Sequence, residues 1–347
     1  MNTSTEARTD TQKRAGLTAW LLGLGVSGLL AGLLTGTSGL GWEALSQFWA
    51  DWQGDQAVLI LGQIRAPRTL GAAAVGALLG LGGALAQGLF RNPLADPYLL
   101  GSAAGAGLGV VLVLAAAGLA GGAISLSTAL WLERVGLVAA AFVGALLGVG
   151  MTLLLAQGAV QTLRLLLAGV VVAVLLGAVA ELVAVISPAA LRGKQAFLLG
   201  NTSYLGWQAL ALMAGGLVLL LWVSLRQARV LDALTLGEDS AISLGLDLQR
   251  KRLLLVALLS LATALAVSQA GLVAFVGLVA PHLVRRHAPG PHAWMLGASA
   301  AMGAVLLLWA DVLSRSLMAP QELPVGVVTA VLGGCYLFVL LRRQGLR

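Results

Sequence analysis

The sequence predicts an all-α integral membrane protein, and three features of its composition support this fold class. Hydrophobic residues make up 59% of the 347 residues, charged residues make up only 10%, and the mean hydropathy is +0.94. A soluble domain carries about 25% charged residues. Uncharged runs of about 20 residues match the length of a transmembrane helix. The 46 glycines are typical of helices that pack closely in a bilayer.

Ten apolar runs, each bounded by charges or by Pro and Gly, predict about ten transmembrane helices. The eighth run is short, and we expect a half-buried or kinked helix there. The first run lacks a cleavage signal with small residues, so we interpret it as a retained helix. The predicted spans are residues 16–36, 67–90, 97–120, 135–156, 162–187, 205–225, 252–270, 271–285, 293–312 and 324–341.

The distribution of basic residues predicts the orientation. If both termini are cytoplasmic, fifteen of the 21 Lys and Arg residues lie on the cytoplasmic side and six on the other. The positive-inside rule favours this arrangement. It predicts a cytoplasmic tail at residues 1–15, one transmembrane domain at 16–343 and a cytoplasmic end at 344–347. Arg65 and Arg68 then lie on the outer side, against the general trend.

The two outer arginines have two interpretations. They could dock an acidic partner by charge attraction, or they could anchor the loop and contact lipid headgroups. Arg65 and Arg68 are three residues apart, which places them on one face of a helix start, and Pro67 is tolerated in a first helical turn.

The longest cytoplasmic loop, residues 226–252, contains the pattern of a short helix. Glu238 and Asp239 suit a helix N-terminus, and Gly245 suits the position just after its end. Apolar Ala241 and Leu244 lie between them. Such a helix could fit a groove on a partner protein or lie on the lipid surface, and the pattern alone does not separate these two alternatives.

Side chains that could support catalysis or ion coupling are scarce in the predicted spans. Glu181 and Asp311 stand out, and Asp311 precedes Arg315 by four residues, which is the spacing of a helical ion pair. The three histidines lack metal-ligand spacing, and no GxxxxGK[ST] phosphate-binding motif occurs. We therefore expect no catalytic residue, metal site or cofactor in this chain, no nucleic-acid partner, and an energy source on another polypeptide.

Six segments carry a resemblance to a known family. In chain order they are "QIRAPRTLGA" with "GALAQGLFRNPLADPYLLG", "LRLLLAGVVVAVLLGA", "LLGNTSYLGW", "LDALTLGEDSAISLGLDL", "GLVAFVGLVAPHLVRR" and "ADVLSRSLMAPQELPVGVVTAVLGGCYLFVLL". Together they closely resemble the permease subunits of ABC importers for ferric siderophores, haem and cobalamin, the type II importers. The resemblance covers residues 16–343.

The resemblance implies a fold and a set of partners. The fold is that of a type II ABC importer permease, with about ten transmembrane helices per subunit and a translocation path between the two subunits of a homodimer. Two ATP-binding cassette subunits, which bind the ATP and Mg, lie on the cytoplasmic side, and a periplasmic substrate-binding protein docks on the other. The implied location is the bacterial inner membrane, surrounded by lipid, with multiple spans and both termini cytoplasmic.

The resemblance also implies residue roles. The residues that match the binding-protein docking arginines are Arg65, Arg68 and Arg315. The cytoplasmic coupling loop spans residues 229–251, and its matching residues are Leu236, Gly237, Glu238, Asp239, Ala241, Leu244 and Gly245. The residues that match the cytoplasmic gate are Asn92, Leu94, Thr162 and Leu163. Some relatives have a small hydroxyl residue where Leu163 stands.

The function implied is ATP-driven import of a metal chelate, either a ferric siderophore or haem, delivered by the binding protein. Cobalamin import by the same architecture is the alternative. A remote alternative is an ion-coupled secondary transporter, which needs a charged site near the membrane midplane. The near absence of charge within the predicted spans argues against it.

Overall fold

The computed structural model of the chain describes residues 3–36, 39–40, 59–120, 135–158, 161–243 and 245–344, and helices dominate these residues. A π-helical turn at Ile60–Arg65 leads directly into α2, and a 3-10 turn at Pro97–Leu100 precedes α3. Strands β1 Thr35–Gly36 and β2 Gly39–Leu40 pair antiparallel after α1. The described helices are α1 Thr3–Leu34, α2 Ala66–Phe90, α3 Ser102–Ala120, α4 Leu137–Leu155, α5 Thr162–Ile186, α6 Pro188–Leu199, α7 Trp207–Arg226, α8 Ala228–Thr235, α9 Glu238–Ser243, α10 Leu248–Ala270, α11 Val276–His287, α12 His292–Ser316 and α13 Val325–Gln344.

The ten predicted spans each coincide with one helix. In the described part of the chain, seven helices are long and apolar enough to cross a membrane: α1, α2 with its π-helical turn, α4, α5, α7, α10 and α12. The third, eighth and tenth spans correspond to α3, α11 and α13. The short eighth span is confirmed as the 12-residue α11, which contains Pro281 and is largely buried.

Three short helices lie in loops between the spans. The sequence predicted α9 but did not predict α6 or α8. Helices α6 and α8 lie between predicted spans. The acids Glu238 and Asp239 correctly indicated the start of α9. Leu244 lies outside the described residues.

Helix α2 forms the centre of the bundle because its small residues allow close backbone contact. A Cβ atom at Gly76 would collide with the carbonyl oxygen of Gly303 in α12, and a Cβ at Gly303 would collide with that of Gly76. Gly80 meets the carbonyl of Ser299 one turn away in the same way. Lipid supplies no hydrophobic drive for helix association, so this close van der Waals packing holds the two helices together.

Two loops at one end of the bundle are joined by backbone hydrogen bonds. The amide of Asn201, after α6, donates to the carbonyl of Ala270 (2.7 Å), and the amide of Leu272 donates to the carbonyl of Phe197 (2.9 Å). These bonds hold the segment between α6 and α7 against the end of α10. The segment places Thr202 beside the last turns of α12.

Candidate functional site

The three arginines predicted for docking meet at one end of the bundle, in a group that we call the arginine cluster: Arg65, Arg68, Arg315, Asp311, Glu322 and Thr202. Arg65 ends the π-helical turn, Arg68 lies in the first turn of α2, and Arg315 lies in the last turn of α12. Residues separated by about 250 positions in the chain are in direct contact here.

Asp311 is the central acid of the cluster. Its side chain has no exposed surface, and Oδ1 accepts hydrogen bonds from Arg68 Nε (3.2 Å) and Thr202 Oγ1 (2.6 Å). Its other oxygen, Oδ2, pairs with Arg315 Nη2. The predicted ion pair between Asp311 and Arg315 is therefore confirmed. A carboxylate shared by two guanidiniums and a hydroxyl has the partners that a buried charge requires.

Glu322 supplies the second negative charge from the segment between α12 and α13. Its Oε1 accepts from Arg68 Nη1 (2.9 Å), and its Oε2 accepts from the hydroxyl of Ser203 (2.9 Å). Burial alone raises the pKa of the Glu322 carboxyl, but the hydrogen bond and charge of Arg68, together with the Ser203 bond, outweigh it and lower the pKa below its ordinary value.

Arg65 and Arg315 also donate hydrogen bonds to backbone carbonyls at the C-terminal end of α1. Arg65 Nη1 donates to the carbonyls of Leu33 (3.0 Å) and Leu34 (3.3 Å), and Arg315 Nη1 donates to the carbonyls of Gly32 (3.1 Å) and Thr35 (3.3 Å). The last carbonyls of a helix lack intrahelical partners and carry partial negative charge. Both guanidiniums therefore hold α1 against α2 and α12.

The exposure of the three arginines differs. Arg68 is 7% exposed and Arg315 is 2% exposed, whereas Arg65 is only partly buried. In this conformation Arg68 and Arg315 form ion pairs within the chain. Arg65 is the most accessible of the three arginines. The docking role of all three stays a prediction.

The predicted coupling loop forms two short helices, α8 and α9, at the opposite end of the bundle. Glu238 Oε1 accepts from Arg252 Nη2 of α10 (2.6 Å) and from Arg91 Nη2 after α2 (3.4 Å). Asp232 of α8 accepts from both the amide (3.0 Å) and Nδ1 (2.7 Å) of His292 at the start of α12. The loop is thus attached to three long helices.

The outer face of this loop presents apolar side chains. Leu236 is 69% exposed and Ile242 is 58% exposed, while Ala241 is fully buried against the bundle. Asp239 and Gly245 are also exposed. Gly237 (φ +108°) and Gly245 (φ +77°) have left-handed backbone conformations on either side of α9 that glycine adopts without strain.

The predicted gate residues lie in two neighbouring elements. Asn92 and Leu94 occupy the turn after α2, where Asn92 Oδ1 accepts from the Leu94 amide (2.9 Å). Thr162 and Leu163 begin α5. Leu94 is 42% exposed and Leu163 is 71% exposed, so both leucines have free apolar surface. Their gating role stays a prediction.

The 3-10 turn joins these two elements. Asp96 Oδ1 caps it by accepting from the amide of Tyr98 (2.8 Å), and burial raises the pKa of Asp96 to about 6. The turn packs on α5, where a Cβ at Gly169 would collide with the carbonyl of Leu99. The 3-10 turn and α5 are therefore in direct backbone contact.

Sequence reasoning missed several polar partners: Glu322, Thr202, Ser203, Asp232, His292, Arg91 and Arg252. Each lies at a helix end or in a loop, so composition gives no signal that distinguishes it from ordinary surface residues. Their partners are 14 to 254 positions away, so local spacing does not reveal the pairs. In the residues that the structure describes, no group of three or more His, Cys, Asp or Glu side chains is arranged to hold a metal ion.

Comparison with known proteins assigns the chain to a family. The model of the FecCD transport family matches residues 24–343. The vitamin B12 import system permease protein BtuC of Salmonella paratyphi A is 38% identical over 327 residues, which cover 93% of this chain and 95% of that protein. The hemin transport system permease protein HmuU of Yersinia pestis is 38% identical over 323 residues, covering 91% and 93%.

A solved structure has the same fold. It is described as an inward-facing conformation of a metal-chelate type ABC transporter, and it superposes with a TM-score of 0.78 at 27% identity, covering 96% of this chain and 99% of that chain. The family match spans all the helices from within α1 to α13 together with the arginine cluster and the coupling loop. The chain is a membrane protein that belongs to the FecCD transport family.

Proposed function

We propose that this chain is the transmembrane permease subunit of an ATP-driven ABC importer. The single observation that supports this most is the loop of α8 and α9. It presents Leu236 and Ile242 outward while Glu238 and Asp232 attach it to α10 and α12. A loop that is apolar outside and ion-paired inside suits the transmission of force from a bound ATPase to the bundle.

The cargo that we propose is a metal chelate, a ferric siderophore or haem, delivered by a periplasmic binding protein. Cobalamin remains the alternative, because the relatives named for vitamin B12 and for hemin are equally similar to this chain at 38% identity. We further propose that the chain lies in the bacterial inner membrane with both termini cytoplasmic, as the excess of basic residues on that side favours.

We also propose a homodimer. Helix α5 exposes an apolar surface along its whole length in the single chain, including Leu167, Val171, Val174 and Leu182, each more than half exposed. A second subunit that covers this surface would place α5 beside the path between subunits. The near absence of polar groups on it suits a bulky cargo that must pass without tight binding.

Reconstitution in liposomes tests the proposal. The chain is inserted with its cognate ATPase, and ATP-dependent uptake of haem, cobalamin and a panel of ferric siderophores is followed, each presented on the cognate binding protein. We expect uptake of one cargo only when ATP and the binding protein are both present. Accumulation by the chain alone under a proton gradient would instead identify a secondary transporter and overturn the proposal.

A further inference from the structure

Two loops at the arginine-cluster end of the bundle expose large apolar side chains, which we call the apolar patch: Tyr204, Leu317 and Met318. Tyr204 lies between α6 and α7 and is 88% exposed, and Leu317 and Met318 follow α12 and are 61% and 55% exposed. Neither loop is helical there, and residues 317–321 are all exposed. Irregular backbone that faces lipid does not occur within the hydrocarbon core of a bilayer. The patch therefore lies outside the hydrocarbon.

Polar side chains join the two loops. Thr202 Oγ1 donates to Asp311 Oδ1 (2.6 Å) in α12, and Ser203 Oγ donates to Glu322 Oε2 (2.9 Å) in the loop after α12. Tyr204 directly follows these two donors in the chain. Its backbone is therefore held against the end of α12 and against the loop that carries the other two members of the patch.

The backbone of both loops is also fixed by contacts beyond this junction. Leu205 is buried, and a Cβ atom at Gly71 of α2 would lie only 2.9 Å from Leu205 Cβ. In the other loop, the amide of Leu323 donates to the carbonyl of Ser314 (2.9 Å). The exposed side chain of Tyr204 thus projects from a fixed backbone. A surface that is ordered before binding loses less conformational entropy when a partner docks.

A positive charge lies at the edge of the patch. Trp207 Nε1, three residues after Tyr204, donates to the carbonyl of Gly62 (2.9 Å), which joins this loop to the π-helical turn that ends at Arg65. In the described part of the chain, the ion pairs within 4.0 Å do not include Arg65. Its charge is therefore available to a carboxylate on another protein.

We propose that the apolar patch is the central contact for the periplasmic binding protein, with Arg65 at its rim. This inference rests on the proposed function, which places the arginine-cluster end on the periplasmic side. Apolar side chains that are exposed together in water mark sites for a protein partner. Protein interfaces are enriched in Tyr, Met and Arg, and a few anchors supply most of the binding energy. The partner that fits has an apolar centre and a carboxylate beside it that faces Arg65.

Surface plasmon resonance tests this with the full-length chain and its ATPase in lipid nanodiscs and the cognate binding protein in solution. We expect Tyr204→Ala to weaken binding roughly 30-fold, which is the loss at a hot-spot residue. Leu317→Ala should weaken it roughly fivefold. Both losses should be the same at low and at physiological salt, because ions screen charges and not apolar contacts.

Leu147→Ala is the matched control for Leu317→Ala. Both leucines are more than 60% exposed, but Leu147 lies in the middle of α4, so its truncation should leave the affinity unchanged. Melting temperatures identify any variant that fails to fold. Losses that shrink with salt for Tyr204→Ala would show that the contact is not apolar and would overturn the proposal.

Cysteine labelling tests whether the patch is free before docking. Tyr204→Cys is made together with Cys335→Ser, which removes the exposed native thiol, and is treated with a membrane-impermeant maleimide. We expect labelling of the chain alone and protection by the bound partner. An unlabelled free chain would mean that lipid, a second copy or another part of the chain covers the patch. That result, or labelling that the binding protein does not reduce, would overturn the proposal.

Failure of this inference is distinguishable from failure of the proposed function. If the wild-type chain binds the protein and both Tyr204→Ala and Leu317→Ala bind it equally tightly, only the role of the patch is wrong. If the wild-type chain does not bind it at all, the importer proposal is contradicted as well. Neither measurement requires ATP hydrolysis.

Discussion

At the scale of single residues, Asp311 explains why arginines can be buried at the end of a membrane helix bundle. Arg68 and Arg315 both contact this one carboxylate, and Glu322 balances the second positive charge. A buried ion pair contributes little net stability over an apolar pair, but the removal of one partner leaves the other charge uncompensated. The cluster is therefore most sensitive to loss of its central acid.

We predict that Asp311→Asn lowers the free energy of unfolding by about 3–5 kcal/mol, because two buried guanidiniums lose their shared counter-charge. Thermal melting of the purified chain measures this. Asp239→Asn is the control, since Asp239 is exposed and its loss should change stability by no more than about 0.5 kcal/mol. Equal melting temperatures for the two variants would show that the cluster does not depend on Asp311.

The lowered pKa of Glu322 predicts a dependence of stability on pH. The ordinary value is 4.5, and the folded chain holds the carboxylate ionised below it. A group whose pKa falls on folding stabilises the protein above its ordinary pKa, and this contribution is lost as the pH falls through the folded value. The difference in melting temperature between wild type and Glu322→Gln should therefore be largest near neutral pH and shrink below pH 4.5. A difference that grows on acidification contradicts the assignment.

At the scale of elements, the sequence predicted the long helices well and their contacts poorly. The length of an uncharged run can be read from the sequence without knowing the neighbours of that run in space. Each of the ten predicted runs is a helix in the structure. Helix α6 was missed because its 12 residues, which include Arg192 and Lys194, look like a polar loop. The ion pairs of Arg68 and Glu238 were missed because they depend on which helices become neighbours, and spacing along one helix carries no information about that.

The crossing of α2 and α12 gives a test of helix packing. We predict that Gly303→Leu costs roughly 1–3 kcal/mol of stability, because the new side chain would meet the backbone of Gly76 and force the helices apart. Gly297→Leu, in the same helix, is the matched control, since a Cβ there has no atom within 4 Å. Melting temperatures of the two variants should differ clearly, and similar values would mean that this crossing is not tight.

The ion pairs of Glu238 allow a test of whether the coupling loop transmits force from a bound ATPase to the helix bundle. Glu238→Gln weakens the pairs with Arg252 and Arg91 but leaves Leu236 and Ile242 on the surface. We predict normal assembly with the ATPase and ATP-dependent uptake reduced about two- to fivefold, as expected from the loss of roughly 0.5–1 kcal/mol of ion pairing. Ile242→Asp should instead reduce assembly itself. If Glu238→Gln abolished assembly, Glu238 would contact the ATPase directly.

At the scale of the whole molecule, the arginine cluster and the predicted coupling loop are joined by the same helices. Helix α12 starts at His292, which bonds to Asp232 of the coupling loop, and its last turn contains Arg315 of the arginine cluster. Helix α2 likewise carries Arg68 at one end and precedes Arg91 at the other. The glycine crossing packs α2 and α12 closely against each other, so the two ends of the bundle are connected through one tightly packed helix pair.

Arg65 is the residue at which the proposed docking of a periplasmic binding protein can be tested, because it is the most accessible of the three predicted arginines. We predict that Arg65→Glu weakens binding of the periplasmic protein roughly tenfold at low salt and less at physiological ionic strength, because attraction between exposed charges is screened by ions. Arg192→Glu is the control, since it makes the same charge change at an exposed site on α6. Surface plasmon resonance on the reconstituted complex at two salt concentrations measures both variants.

Arg65 also donates to the end of α1, so a fall in affinity has two possible physical causes. Arg65→Lys separates them, because lysine keeps the positive charge but lacks the fork of donors that spans two carbonyls. If charge attraction dominates, Arg65→Lys binds nearly as well as wild type and retains the salt dependence. If the shape of the α1 end dominates, Arg65→Lys and Arg65→Glu weaken binding equally at both salt concentrations. An unchanged affinity in Arg65→Glu would exclude this residue from the docking surface altogether.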